Sequence, residues 1–318
     1  MIKKIFELIE SAKKVLIVTH VNPDGDTLGS ACALKSYIGD KADILVQVSK
    51  GKGYPEIYSF MPYLNEAKTL ENVENIYDTV ICVDVASIDR VVENAREIFN
   101  NAKVTINIDH HKTNRGFANY NHILGGISST GEVLFEMFKS QNKNLTLEMA
   151  NCVYVAILTD TGCFKYETVT PRTLEIAAQL AKIGVDTASI ARKCYDLKSK
   201  AMVMFQAFCV TNAKFICNDK IAYTLVKKVD MEKFGAKDEH TEGICEVLRS
   251  MKPVEFAFVL KESGNNSTKV SMRSKEKDVT EIAKKFNGGG HTRAAGCTIK
   301  KPVDEALNCL LEEAKKHI

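Results

Sequence analysis

Along the first half of the chain, short apolar runs alternate with longer segments whose apolar positions recur every three or four residues. Val15-Leu16-Ile17-Val18, the run at 43–48, Thr79-Val80-Ile81-Cys82-Val83 and Val104-Thr105-Ile106-Asn107-Ile108 predict strands near 14–19, 43–48, 79–84 and 104–109. Strands alternating with helical patterns predict an α/β fold, a parallel sheet with helices on both faces. Helices are expected at about 130–140, 146–158 and 171–183, the last starting at Pro171 with Thr170 as its N-cap. Gly184-Val185-Asp186 breaks the pattern, and the stretch from about 189 to 215 is helix-rich. A second alternation starts at Ile221-Ala222-Tyr223-Thr224-Leu225-Val226. It continues with strands near 254–260 and 268–273, a helix at about 279–286 and a last helix near 303–316. The boundaries expected are a first domain over 1–188, a helical linker over 189–218 and a smaller α/β domain over 219–318. No internal repeat or low-complexity tract is present.

Composition agrees with two domains: 318 residues, of which 45% are apolar. The net charge of +3 and the lack of a basic stripe argue against a binder of duplex or long single strands. Any nucleic acid is therefore expected to be gripped at an end. No apolar run reaches the ~18 residues of a membrane span. Met1-Ile2-Lys3-Lys4-Ile5-Phe6, followed by Glu7 and Glu10, reads as an amphipathic helix and not a signal peptide. Ten cysteines are scattered with no C-x-x-C pair, and Cys82, Cys152 and Cys217 sit in apolar runs. Reduced core thiols and a cytoplasmic setting are expected.

The chemistry gathers where apolar segments end. Asp109-His110-His111 closes one strand, and desolvating a carboxylate and imidazoles there is costly unless a charge balances them. His20-Val21-Asn22-Pro23-Asp24-Gly25-Asp26 follows another strand as a turn, so His20, Asp24 and Asp26 could converge, before Gly29-Ser30 opens a helical run. Asp84 closes the third strand, and Asp160 follows the helical stretch Ala150–Leu158. Singly, each has a plainer reading as a turn former or cap. Together, His20, Asp24, Asp26, Asp84, His110 and Asp160 suffice to hold two divalent cations roughly 3.5–4 Å apart, an arrangement suited to in-line displacement at phosphorus. Imidazole and carboxylate without thiolate favour manganese or magnesium over structural zinc, and imidazole favours manganese.

These four motifs resemble the signature motifs of the DHH phosphoesterase superfamily, which includes RecJ exonucleases, type II pyrophosphatases, exopolyphosphatases and nanoRNase/pAp phosphatases. The resemblance implies one metal on His20, Asp24 and Asp84, another on Asp26, Asp84, His110 and Asp160, and Asp84 as the bridge. It also implies that His111 faces the substrate phosphate and that Asp109 orients the neighbouring histidines.

Near the C-terminus, Asn287-Gly288-Gly289-Gly290-His291 could bring backbone N–H groups close to a phosphate, and the segment after it could start a helix. Val270-Ser271-Met272-Arg273-Ser274 reads as a strand delivering Arg273, suited to bidentate phosphate contacts. Strand, helix and glycine-histidine loop in this order resemble the DHHA1 domain. That resemblance implies that Arg273, Gly289, Gly290 and His291 grip the far end of a nucleotide across an interdomain cleft. Arg115, just past the metal cluster, is a further candidate phosphate contact. Ser128-Ser129-Thr130-Gly131-Glu132 reads as a helix cap whose free N–H groups could also bind an anion. Tyr54, Tyr58, Phe60 and Tyr63 read as packing under a loop, and His122, His240 and His317 as surface residues.

The expectation is a manganese-dependent enzyme, a homodimer being one state open to it, that hydrolyses short single-stranded RNA to mononucleotides and removes the 3′-phosphate from adenosine 3′,5′-bisphosphate. Alternatives are a linear or cyclic dinucleotide phosphodiesterase, a pyrophosphate or polyphosphate hydrolase, and a non-catalytic nucleotide sensor. A RecJ-like exonuclease is not expected, since no further nucleic-acid-binding domain follows the Gly-His loop.

Overall fold

Val15 and Ile17 pack on one face of strand β1 (Val15–Val21) and Leu16 and Val18 on the other, and all four are fully buried. Both faces of that strand must therefore be covered. The computed structural model describes every residue except 48–52, 75 and 265, together with all side chains but those and His291. The chain divides into two units, Met1–Leu197 and Lys198–Ile318.

In the first unit, α1 (Ile2–Ser11) precedes β1, followed by α2 (Gly25–Ile38), β2 (Ala42–Gln47), β3 (Thr79–Val83) and α3 (Glu93–Asn101). Then come β4 (Val104–Asp109), β5 (Tyr120–Ile123), α4 (Thr130–Ser140), α5 (Leu147–Asp160), α6 (Pro171–Ile183) and α7 (Thr187–Ala191). The five strands form one parallel sheet in the order β2-β1-β3-β4-β5. The core on one face joins Ile17, Ile81 and Ile106 to α1, α2, α4, α5 and α6. The other joins Leu16, Val80 and Cys82 to Ala95, Ile98 and Phe99 of α3. Strand β5 was not foreseen, because Tyr120-Asn121-His122-Ile123 is half-exposed and lacks an apolar run. Val48, at the end of the expected second strand, lies outside the described residues.

The second unit contains α8 (Lys200–Thr211), β6 (Lys214–Ile216), β7 (Ile221–Val226), α9 (Lys228–Phe234) and α10 (Ile244–Ser250). It continues with β8 (Phe256–Glu262), β9 (Thr268–Ser274), α11 (Thr280–Lys284), β10 (Gly289–His291), β11 (Ala294–Ile299) and α12 (Val303–Ala314). Its sheet runs β10-β11-β9-β8-β7-β6, with only β7 and β8 parallel. Phe256, Phe258 and Met272 pack on α11 and α12, while Ala257 and Val259 pack on α8 and α10.

Four expectations are corrected by the structure. The segment after the glycines is no helix start: Gly289–His291 pairs antiparallel with Ala294–Gly296 as a tight hairpin. His240 is buried, its Nδ1 accepting from the Lys237 N–H at 3.2 Å, because Lys237–His240 closes a capped 3₁₀ turn. His122 is half-buried, its Nε2 has no hydrogen-bond partner, and burial lowers its pKa. All ten cysteines are free thiols, but Cys217 sits partly buried in the turn before β7, with a left-handed φ of 55°, and not in a core run.

Candidate metal centre and active site

The carboxyl ends of the parallel strands present the polar residues, as expected of an open α/β sheet. His20 lies in β1, and the chain turns through Asn22 (φ 54°) directly into α2. The helix starts at Gly25 and not at Gly29, so Asp26 stands in its first turn, where a loop had been expected. Asp24 is the N-cap, one carboxylate oxygen accepting from the Asp26 and Thr27 amides at 3.1 and 3.2 Å. Cap and site residue are therefore the same side chain. Thr27 donates its hydroxyl to the Val83 carbonyl at 2.9 Å, tying α2 to the end of β3.

Asp84 follows β3 with a left-handed φ of 59° and is 4% exposed, its amide bonded to the Ile108 carbonyl at 3.0 Å. A non-glycine residue in that region is uncommon and is held by its surroundings. Asp109 ends β4, and Asp160 is the last residue of α5, which runs two residues beyond the expected Leu158.

Close helix packing brings Asp26 and Asp160 together. A Cβ on Gly29 of α2 would lie 2.5 Å from the Cys152 carbonyl of α5, and one on Gly25 would lie 2.4 Å from the Thr159 hydroxyl oxygen. A Cβ on Gly131 of α4 would meet the Ala156 Cβ of α5 at 2.5 Å. Only hydrogen side chains allow this approach.

Among the described residues, three groups of side chains come within metal-binding reach: His20, Asp24 and Asp84; Asp26, His110 and Asp160; and Asp84, His110 and His111. His20 Nε2 lies 3.6 Å from Asp24 and 3.4 Å from Asp84. His110 Nε2 lies 3.8, 3.5 and 3.4 Å from Asp26, Asp84 and Asp160. In both rings Nδ1 faces a backbone carbonyl, Val21 at 2.9 Å for His20 and Ile127 at 3.1 Å for His110. Donation of Nδ1–H to those carbonyls leaves the Nε2 lone pair aimed at the carboxylates. Lone pairs facing carboxylate oxygens repel unless a proton or a cation lies between them. The donor set, carboxylate oxygens and neutral imidazole, suits divalent manganese or magnesium.

The electrostatics agree. Burial opposes the His20 imidazolium, but Asp24 and Asp84 outweigh it and raise its pKa to about 10. Burial likewise opposes a charged His111, yet Asp109, Asp84 and Asp160 raise its pKa to about 9. Burial, then repulsion from Asp84, Asp160 and Asp24, pushes Asp26 well above the usual carboxylate range. Burial and nearby Asp84 and Asp24 carry Asp160 to about 7 against the pull of His110. Without a metal, this cluster holds protons in its place.

His111 is oriented separately. Its Nδ1 lies 2.7 Å from Asp109 Oδ1, and Asp109 Oδ2 accepts from Asn114 Nδ2 at 2.6 Å. Asn114 also donates to the Val85 carbonyl and to Asn107, so a buried amide network holds the carboxylate. Asp109 thus orients His111, while His110 takes its orientation from Ile127 and not from Asp109 as expected.

Sequence reasoning missed Thr130 as part of the site. The Thr130 and Gly131 amides at the start of α4 donate to the two oxygens of Asp26 at 2.7 and 3.0 Å, and the Thr130 hydroxyl donates to Asp84 at 3.0 Å. The Ser129-capped helix does bind an anion, and that anion is Asp26. Arg115 is exposed and makes no hydrogen bond or ion pair with the described residues. In the second unit, Arg273 donates from Nε to Glu246 at 2.8 Å and from Nη1 to the Met272 carbonyl at 3.0 Å. Gly288 and Gly290 are demanded by the fold, since a Cβ on either would lie 2.3 Å from a backbone oxygen, whereas one on Gly289 would meet nothing. The side chain of His291, also a candidate, lies outside the described set.

Comparison with known proteins places this architecture. The sequence matches the N-terminal domain of the DHH family over residues 14–157 and the DHHA1 domain over 218–318. It is 28% identical to a probable bifunctional oligoribonuclease and PAP phosphatase NrnA of Streptococcus mutans, over 92% of each chain. An exopolyphosphatase-related protein from Bacteroides fragilis superposes with a TM-score of 0.91 at 26% identity, covering 99% of this chain and 95% of that one. RecJ from Thermus thermophilus, crystallised with Mn²⁺, shares the fold with a TM-score of 0.57 at 14% identity, covering 99% of this chain and 55% of its own. With both domains matched in order over most of its length, the chain belongs to the DHH/DHHA1 phosphoesterases, and it is a hydrolase.

Proposed function

We propose that this hydrolase cleaves short oligoribonucleotides to mononucleotides and removes the 3′-phosphate from adenosine 3′,5′-bisphosphate, using two manganese ions. The observation that carries the reading is the sharing of Asp84 between two of the three Asp–His groups, which suits a bridging carboxylate. His20, Asp24 and Asp84 would hold one ion, and Asp26, Asp84, His110 and Asp160 the other. When bound, such ions supply a nucleophilic hydroxide near neutral pH and offset charge on the phosphate.

The chain's own groups do the rest. The Val21 and Ile127 carbonyls face Nδ1 of the two imidazoles, so Nε2 is the atom each ring would offer a cation. The α4 amides fix Asp26, and Thr130 fixes Asp84, so little rearrangement is needed as charge develops. His111, its Nδ1–H held by Asp109, is oriented to donate to a phosphate oxygen. In the second unit, Arg273 would bind a terminal phosphate, and the open space over Gly289 lets backbone approach it. Arg115 is a further phosphate contact on this reading. The ten free thiols fit a cytoplasmic setting.

The name of the Bacteroides relative favours a second reading, hydrolysis of inorganic polyphosphate. Purified protein with Mn²⁺ should be assayed against dinucleotides, adenosine 3′,5′-bisphosphate, cyclic dinucleotides, pyrophosphate and polyphosphate. Release of mononucleotide and of 3′-phosphate, both lost with chelator, is expected. Turnover of polyphosphate or cyclic dinucleotide alone would overturn the proposal in favour of that substrate.

A further inference from the structure

Two unusual backbone segments meet at the end of α5, the helix that presents Asp160. Gly162, Cys163 and Phe164 carry successive left-handed φ values of 56°, 61° and 60°. Left-handed geometry at two consecutive non-glycine residues is costly and persists only where packing imposes it. The packing is visible: Phe164 lies against buried Tyr154 with ring centroids 6.1 Å apart, and the Phe164 amide bonds to the Thr161 hydroxyl at 3.1 Å. The result is to seat Tyr166 over Gly162, where a Cβ would come within 2.4 Å of the ring. The other segment is a π turn at Arg192–Asp196, of the sort often found at functional sites. It carries Tyr195, whose hydroxyl bonds to the Leu158 carbonyl at 3.2 Å.

Tyr166 and Tyr195 thus touch α5 and its C-terminal turn on either side of Asp160, two residues after it and two before it. Both stay open to solvent, at 45% and 36% exposure. They converge on one turn: the Leu158 carbonyl that takes the Tyr195 hydroxyl also accepts the Cys163 amide at 2.8 Å, and Cys163 follows the Gly162 that lies under Tyr166. Folding gains little from leaving two aromatic rings at this turn in water. A flat apolar ligand would gain from both.

We infer that Tyr166 and Tyr195 form a stacking subsite for a nucleobase of the substrate, beside the Asp160 end of the metal centre. This rests on the nucleotide reading above and adds the feature by which the first unit distinguishes a nucleotide from inorganic polyphosphate. Stacking is tolerant of base identity because every base presents a π face. The subsite therefore selects for the presence of a base and not for its sequence.

The test compares Tyr166→Ala with the parent protein on two substrates, a 5′-phosphorylated diadenylate and the same backbone with both bases replaced by hydrogen. Tyr166→Ala should raise KM for the diadenylate by about 5- to 100-fold. It should also collapse the preference for the base-bearing substrate, and Tyr166→Phe should restore it. A purely structural role would change both substrates alike. Binding of a 2-aminopurine dinucleotide to the chelated protein gives an independent readout, because stacking on tyrosine quenches its fluorescence. Loss of quenching in Tyr166→Ala and in Tyr195→Leu is expected. If the parent turns over the diadenylate and Tyr166→Ala keeps both its selectivity and its quenching, the stacking subsite is wrong and the nucleotide reading survives. If the parent turns over no nucleotide at all, the functional reading fails and the subsite falls with it.

Discussion

The Asp26 carboxylate accepts a hydrogen bond from the Thr130 amide at 2.7 Å, across 104 residues of chain. This bond places the start of α4 against the start of α2, and the Thr130 hydroxyl extends the hold to Asp84 at 3.0 Å. Thr130 thus positions two candidate ligands and need not touch a metal itself. Thr130→Val removes the hydroxyl but keeps the amide bond. Manganese affinity measured by calorimetry should fall about 10- to 100-fold, as for loss of a group that orients a ligand, and Thr130→Ser should recover most of it. Unchanged affinity in Thr130→Val would show that Asp84 needs no such support.

Asp84 calls for a variant that respects its backbone. At φ 59°, alanine would add a cost of about 1–2 kcal/mol from the left-handed conformation, which asparagine tolerates better. Asp84→Asn is therefore the cleaner probe of the bridging role. It should abolish metal-dependent hydrolysis while the protein in chelator keeps its circular-dichroism spectrum and a cooperative unfolding transition. Retained turnover would refute the bridge.

Gly29→Ala tests whether helix proximity builds the site. The added Cβ would lie 2.5 Å from the Cys152 carbonyl, a backbone atom that yields only if α2 and α5 separate. A destabilisation of about 1–3 kcal/mol is expected in urea titrations. Weaker manganese binding should accompany it, as Asp26 and Asp160 move apart. Loss of stability with full affinity would mean that the two helices do not set the ligand spacing.

Removal of metal should make stability depend on pH in an unusual direction. His20 and His111, at about 10 and 9, and Asp160, at about 7, all titrate above their ordinary values, and Asp26 is raised as well. In each case the folded chain binds more protons than the unfolded one. The stabilisation is complete below the ordinary value and is lost as pH rises through the folded value. The melting temperature in chelator should therefore fall between pH 6 and pH 9, and saturating Mn²⁺ should remove most of that fall. A flat or rising profile in chelator would contradict the raised values.

Arg273→Ala should act on binding more than on chemistry. Its guanidinium is held by Glu246 and the Met272 carbonyl, a preset orientation that suits a phosphate anchor. KM should rise with kcat little changed; a fall in kcat alone would count against a ground-state contact.

Much of the parallel sheet was legible because a strand buried on both faces leaves a continuous apolar run, as at Val80-Ile81-Cys82-Val83. The polar residues ending those runs were legible for the complementary reason, that charge beside a core needs a counter-charge. The α6 cap at Thr170-Pro171 was legible too, since capping is local chemistry. Elements of three to seven residues with mixed polarity, such as β5, β6 and α9, left no such mark, since tertiary pairing and not local pattern makes them. The glycine loop misled because glycine permits a hairpin as readily as a helix start, and only strand pairing with β11 chose between them.

The amino-acid sequence by itself determined which side chains were available and which strand ends would carry them, because burial and local capping act over a few neighbouring residues. Only the tertiary structure could select the partners of those side chains: Thr130 for Asp26 and Ile127 for His110. Hydrogen bonds are directional over about 3 Å, and no periodicity in the chain encodes a distance that short between residues so far apart.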